Sequence, residues 1–383
     1  MPYNPFRGLL FSGLLFPIPV PGTDGDDVIY GDTRPSISCG RSANNVIDAG
    51  GGSDVVYGDA SDMTGTAKGG NDIISGGTAY RDELFGDAST MSGHSVGGND
   101  VIRDASAGSN ALYGDAETMT EWARGGNDFL DVGGYGETQL TGDGRYMSDH
   151  TRGGDDVIIG GPVFTAGDGS FMSGYARGGN DQIYLENRDP RPGFGTNHAY
   201  GDGGTMQDET RGGRDLLVGS AAADEMTGDG GDMRNNSRGG DDSIFGRDGD
   251  DILRGDAHFV ADSVAGGNDW LDGGAGNDIL YGDFGTMSAG VKGGNDHLTG
   301  GPGADTFVFV GDSSNGRDVV HDYGQGSDAI RIDFLLAEVP HQLKAHVWKG
   351  STVIELGDGS VTLQNYVGAL NIQSNASLDI VFA

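Results

Sequence analysis

Nine aspartates close nine copies of one short unit. At 69–72 the chain reads GGND, and Gly-Gly-x-Asp returns at 97–100, 125–128, 153–156, 178–181, 212–215, 239–242, 266–269 and 293–296. Successive starts lie 28, 28, 28, 25, 34, 27, 27 and 27 residues apart. Two glycines let the backbone turn tightly and leave carbonyl oxygens pointing outward, and the aspartate adds a carboxylate. Oxygen is the only donor on offer. The candidate metal ligands are therefore Asp72, Asp100, Asp128, Asp156, Asp181, Asp215, Asp242, Asp269 and Asp296. Carbonyls around Gly69, Gly97, Gly125, Gly153, Gly178, Gly239, Gly266 and Gly293 would complete the shell.

The elements that must hold these groups are extended. Two residues after each aspartate stands a branched aliphatic: Ile74, Ile102, Leu130, Ile158, Ile183, Leu217, Ile244, Leu271 or Leu298. Such a residue after a turn starts a strand and points inward. The run 273–281, GGAGNDILY, is a full Gly-Gly-x-Gly-x-Asp-x-apolar-x nonapeptide. In these residues the chain resembles the RTX (hemolysin-type calcium-binding repeat) family. The resemblance implies a parallel β-roll in which each Asp and the neighbouring Gly carbonyls chelate Ca²⁺ between successive turns. A shell of carboxylates and carbonyls suits that hard cation. A second row of candidate ligands, Asp27, Asp54, Asp82, Asp224, Asp251 and Asp278 with Gly273 and Gly276, marks another corner. That row decays to Asn110 and Thr138 in the middle, so metal is expected along one corner throughout and at the other mainly near its two ends.

A repeat of about 27 residues holds three segments, one more than a simple roll requires. A Gly-Asp pair begins at 58, 86, 114, 142, 167, 201, 228, 255 and 282, and from each to the next Gly-Gly-x-Asp knot the spacing is 11 residues. All length variation falls on the other side. A floppy loop would vary in length, so the third segment is read as a structured side. Eight of the ten methionines recur at one place in it, Met63 to Met287, with Val260 as the exception. They are expected to form an internal ladder.

Just before the knots stand Lys68, Val96, Arg124, Arg152, Arg177, Arg211, Arg238, Ala265 and Lys292. Stacked turns would make this a basic stripe, expected to neutralise nearby carboxylates; an anionic-ligand groove is the other reading. Two residues earlier lie His94, Trp122, His150 and Tyr175. With Arg152 and Arg177 they form the candidate catalytic set of an alternative function, a lyase or C5-epimerase acting on acidic polysaccharide. There Arg would neutralise a carboxylate while His or Tyr moves a proton.

Composition narrows the function. The chain has 383 residues, 74 glycines and a net charge of −35. Residues 305–383 carry ten acids and four bases and residues 1–21 only Arg7, which leaves −30 for 22–304. Stacked carboxylates at that density repel one another without counter-ions, so the metal-free chain is expected to be disordered and Ca²⁺ to drive folding. The charge excludes nucleic acid as a partner. The apolar run Leu9 to Val20 is too short to span a bilayer and reads as a cap over the first turn. No long apolar segment suggests membrane insertion, and the single cysteine, Cys39, excludes an internal disulfide.

The expected architecture is all-β: a parallel β-roll or β-helix solenoid of about ten turns over residues 22–304, an N-terminal cap at 1–21 and a small β-rich C-terminal cap at 305–383. The tail resembles the domain that follows RTX repeats in type I secreted proteases and lipases, and 378–383 (LDIVFA) resembles their export signal. The resemblance implies type I secretion machinery as a partner and an extracellular location. The function read from the sequence is a secreted protein that binds multiple Ca²⁺ ions and serves as a structural or interaction module, in contact with acidic polysaccharide or a cell surface.

Overall fold

Alternation of inward aliphatic and outward polar residues, interrupted at fixed intervals by glycine corners, yields a three-sided parallel β-solenoid. The computed structural model describes residues 18–32, 34–78, 81–105, 108–133, 138–160, 163–186, 197–286, 290–310, 316–334, 341–375 and 378–382. Most of the N-terminal apolar run and Met287 lie outside these residues.

The first sheet has 16 strands and begins with eleven parallel ones, from Ile18–Thr23 to His297–Thr299. Each turn adds one strand in register, so Ile47, Ile74, Ile102 and Leu130 stack in one buried column. The second sheet has 13 strands and supplies the facing column, including Val56, Leu84, Leu112 and Leu253. The third segment forms a sheet of its own, with 10 strands from Ser36–Arg41 to Phe284–Thr286. Its methionines lie register to register, Met91 on Met119 on Met147 on Met172, all buried. Alanine or glycine follows the Gly-Asp pair in the described repeats up to Ala257 because the methionine side chain lies over it. A methyl at Gly144 would sit 3.2 Å from the Met119 sulfur.

The interior is therefore divided. One apolar core fills the space between the first two sheets. A separate methionine-alanine core lines the third.

The first two sheets run on beyond residue 304. Arg317–Val320 adds to the first, while Thr306–Val310 and Ala329–Asp333 add to the second. These turns lack a third-sheet strand among the described residues. The first sheet then ends in antiparallel strands, His341–Trp348, Ser351–Leu356 and Gly359–Leu363. Leu378–Phe382 pairs with the first of them.

Because the ladder is a packed core, Met119→Ala is expected to cost about 2–5 kcal/mol, and Met119→Leu less than about 1.5 kcal/mol. Urea unfolding of the calcium-loaded protein measures both. Equal midpoints for the alanine variant and the parent would refute the core role.

Candidate metal centre

The knot sits at the corner where the third sheet gives way to the first. Two side-chain ladders run through it in opposite directions. On the outside, the third knot residue receives a backbone N–H from the following turn, as Asn44 does from Asn71 and Asn268 from Asn295. On the inside, each knot aspartate donates its backbone N–H to Oδ1 of the next one along. This chain starts at Asn45 and passes through Asp72, Asp100, Asp128, Asp156, Asp181, Asp215, Asp242, Asp269 and Asp296 to Asp318, at 2.6–3.1 Å. Nine of nine knot aspartates keep Oδ2 buried without a hydrogen-bond partner.

A row that sequence reasoning left unassigned faces them. The aspartates of the Gly-Asp pairs, Asp59, Asp87, Asp115, Asp143, Asp168, Asp202, Asp229, Asp256 and Asp283, point into the interior across the short third side. Each accepts the N–H of a second knot glycine eleven residues on, at 2.5–3.1 Å. The constant spacing of 11 residues was the signal available in the sequence. It reports that the carboxylate must reach the knot.

The first knot glycines, Gly69, Gly97, Gly125, Gly153, Gly178, Gly239, Gly266 and Gly293, are needed for space. A methyl at Gly97 would fall 1.6 Å from Asp115 Oδ1, and one at Gly153 1.7 Å from Asp168 Oδ1 and 2.3 Å from Asp143 Oδ2. The carbonyls that press on the next turn include those of the second glycines, with Gly70 O 1.6 Å from where a methyl on Gly98 would lie. The Gly-Asp glycines contribute as well. Gly86 O and Asp72 Oδ2 lie 1.7 and 2.4 Å from the same point over Gly58. Carboxylates and carbonyls thus converge between turns, the donor set a calcium ion requires.

The second corner repeats the inner ladder at both ends, with Asp27, Asp54 and Asp82 donating in series and Asp224, Asp251 and Asp278 running on to Asp305 and Asp328. Asp54, Asp82, Asp251, Asp278 and Asp305 leave Oδ2 without a partner. Asp224 differs, since protein groups reach both of its carboxylate oxygens, Asn197 Nδ2 donating to Oδ1 and the Ser220 N–H to Oδ2; at Asp27 the Thr23 N–H and hydroxyl both donate to Oδ2. Gly273 lies beside Asp278 Oδ2, and Gly276 takes a φ of 152° under the Gly249 carbonyl, a position open to glycine alone.

Burial is the leading cause of raised carboxyl pKa values throughout. It lifts Asp87 well above the ordinary range, followed by the charges of Asp100 and Asp59. It lifts Asp156 similarly against the backbone hydrogen bond from Asp128. Asp59 and Asp82 are pushed to about 6, and Asp251 and Asp296 to about 7. Near the end of the column Asp283, Asp296 and Asp318 can each bring one oxygen within 4.8 Å of the others.

The family comparison decides what this donor set is for. A model of the RTX calcium-binding nonapeptide repeat (4 copies) matches residues 40–62, 209–232, 237–257, 265–286 and 292–309. The chain carries RTX calcium-binding nonapeptide repeats. The matched segments take in the Gly58-Asp59 pair near the start of this RTX stack and the last four knots with three further Gly-Asp pairs towards its end, and the orphaned buried carboxylate oxygens fit the cation the family name implies. No curated protein matches the chain.

The basic stripe departs from expectation. Its residues do stack in one parallel row, Arg124 on Arg152 on Arg177 on Arg211 on Arg238. Lys68, these five arginines and Lys292 are exposed, and among the described residues none makes an ion pair. The carboxylates they were expected to neutralise point inward, away from them. The row beside the stripe stacks on itself: Trp122 on His150 at 4.0 Å and His150 on Tyr175 at 4.8 Å, with His94 tilted at 6.1 Å. His150 has a ring on each face, so of the candidate set His94, His150, Tyr175, Arg152 and Arg177 the central imidazole is sandwiched between Trp122 and Tyr175.

The sign of the pH dependence follows from the raised values. A carboxyl whose pKa is higher folded than unfolded binds more protons in the folded state, so stability falls as pH rises through that interval. The interval runs from about 4, the unfolded carboxyl value, to the 6–7 of Asp82 and Asp251. In chelator the RTX chain is expected to hold β structure near pH about 4.5 and to lose it towards pH about 7. With calcium the dependence reverses, because protons compete for the ligands. Circular dichroism across pH tests this, and a flat metal-free signal from acid to neutral would contradict it.

Proposed function

We propose that this RTX protein is secreted, folds when Ca²⁺ binds along its stack, and serves outside the cell as an interaction module for acidic polysaccharide. The observation that carries the folding step is the unbroken buried ladder of knot carboxylates, each with one oxygen held by backbone and one left over. Calcium supplies the positive charge that this interior lacks. Arg254, paired with Glu225, is the sole buried base among the described residues. In a calcium-poor compartment the chain would stay extended enough for export. Export through a type I system rests on the resemblance of the tail.

The partner follows from the surface. Seven exposed cations without carboxylate partners lie in one line, and Trp122, His150 and Tyr175 present donors beside them. A linear polyanion matches that line by charge. An imidazole held between Trp122 and Tyr175, as His150 is, suits binding better than proton abstraction, so the enzymatic alternative is not adopted.

A calcium titration followed by far-UV circular dichroism is expected to show a cooperative coil-to-β transition that magnesium does not reproduce and chelator reverses. A chain fully β in chelator at neutral pH would overturn the reading. Arg152→Ala with Arg177→Ala is expected to weaken binding to a polyuronate by roughly ten-fold, about 0.7 kcal/mol for each exposed charge, and to leave the chain able to fold in calcium. Unaltered polyuronate affinity would remove the stripe as the binding surface.

A further inference from the structure

We propose that the Gly-Asp aspartates, Asp59 to Asp283, are a second set of calcium ligands, so that the interior holds a column of ions shared with the facing knot carboxylates. The inference rests on the calcium-binding reading above and extends it to residues outside the knot and outside the nonapeptide consensus.

Burial comes first. Asp143, Asp168, Asp202, Asp229 and Asp256 are fully buried, and in each Oδ2 has no hydrogen-bond partner. The other oxygen is fixed by a knot glycine N–H, as Gly154 fixes Asp143 at 2.9 Å, so the free one is aimed rather than wandering. Convergence comes second. Successive carboxylates of the row press on one glycine, Asp143 Oδ2 and Asp168 Oδ1 on Gly153, where no side chain can intrude. Charge comes third. Each turn brings one Gly-Asp carboxylate and one knot carboxylate inside, a charge that one divalent cation per turn balances. Among the described residues the one buried base, Arg254, is paired with Glu225 and does not neutralise either row.

Geometry at the end of the stack makes the same point. Asp283 belongs to the Gly-Asp row, Asp296 to the knots and Asp318 to the two-sided turn that follows, and the three bring oxygens within 4.8 Å. A site at that place needs both rows.

The rival account makes the Gly-Asp carboxylate only an acceptor for the knot N–H. Asparagine keeps that acceptor and removes the charge, so Asp143→Asn with Asp168→Asn in the full chain separates the two. Asp155→Asn, on the exposed outer ladder, is the control. Bound calcium per chain is counted by elemental analysis after desalting, and the calcium midpoint is read by circular dichroism. The double variant is expected to carry about one to two fewer ions and to need several-fold more calcium, while the control matches the parent. An unchanged ion count and midpoint would overturn the proposal. Should the double variant fail to fold in excess calcium, Asp283→Asn at the column's end is counted instead; one ion fewer supports the proposal and an equal count refutes it. If the parent itself binds no calcium, the underlying calcium reading fails first.

Discussion

Like charges stacked in a dry interior are the constraint from which the rest of this structure follows. Parallel strands set neighbouring turns about 4.8 Å apart. Two carboxylates at that distance repel by about 3–4 kcal/mol at an effective dielectric of 20. A hydrogen bond to a charged group returns about 1.5–3 kcal/mol. Each knot aspartate receives one such bond through its Oδ1 and has a like charge above, below and across from it. The backbone ladder therefore positions the carboxylates without compensating them. Protons or cations must do that, and this is the ground of the proposed link between calcium and folding.

Three-sidedness is the geometric answer to that constraint. A two-sided roll has no room to bring a second carboxylate row against the first. The third sheet, short and of fixed length, places the Gly-Asp carboxylates opposite the knots while its methionines close the far side. The alanines and glycines beside Met91, Met119 and Met147 keep that side thin. Methionine suits the task because an unbranched side chain can fill an irregular gap between bulkier neighbours.

Much of this was legible because stacking turns spatial neighbours into residues one period apart. Ile74, Ile102 and Leu130 announce an inward column, and Met63 to Met233 announce a third side, from periodicity alone. Asp59 and Asp87 were equally periodic, yet their part was hidden, because spacing shows that a residue is fixed and not which way its side chain points. The same blindness made Arg124 and Arg152 look like counter-ions to aspartates four residues on. Four residues along this corner cross the wall of the solenoid. Asp318 escaped for another reason: the two-sided turns beyond residue 304 change the period, while strand pairing in both sheets continues.

The separation of interior from surface charge has a consequence for recognition. Knot and Gly-Asp rows together hold 18 aspartates, nine in each, out of a net charge of −35. While those carboxylates are bare, their field opposes any anion approaching the stripe, whose residues immediately precede the knots in sequence. Once they are compensated, the exposed line from Lys68 to Lys292 dominates its face. Affinity for a polyanion and affinity for calcium are then coupled through the same wall, and coupling between binding free energies is reciprocal. On the proposed reading, a polyanion held on the stripe would in turn strengthen calcium binding inside, and the stack would be most stable where both are present.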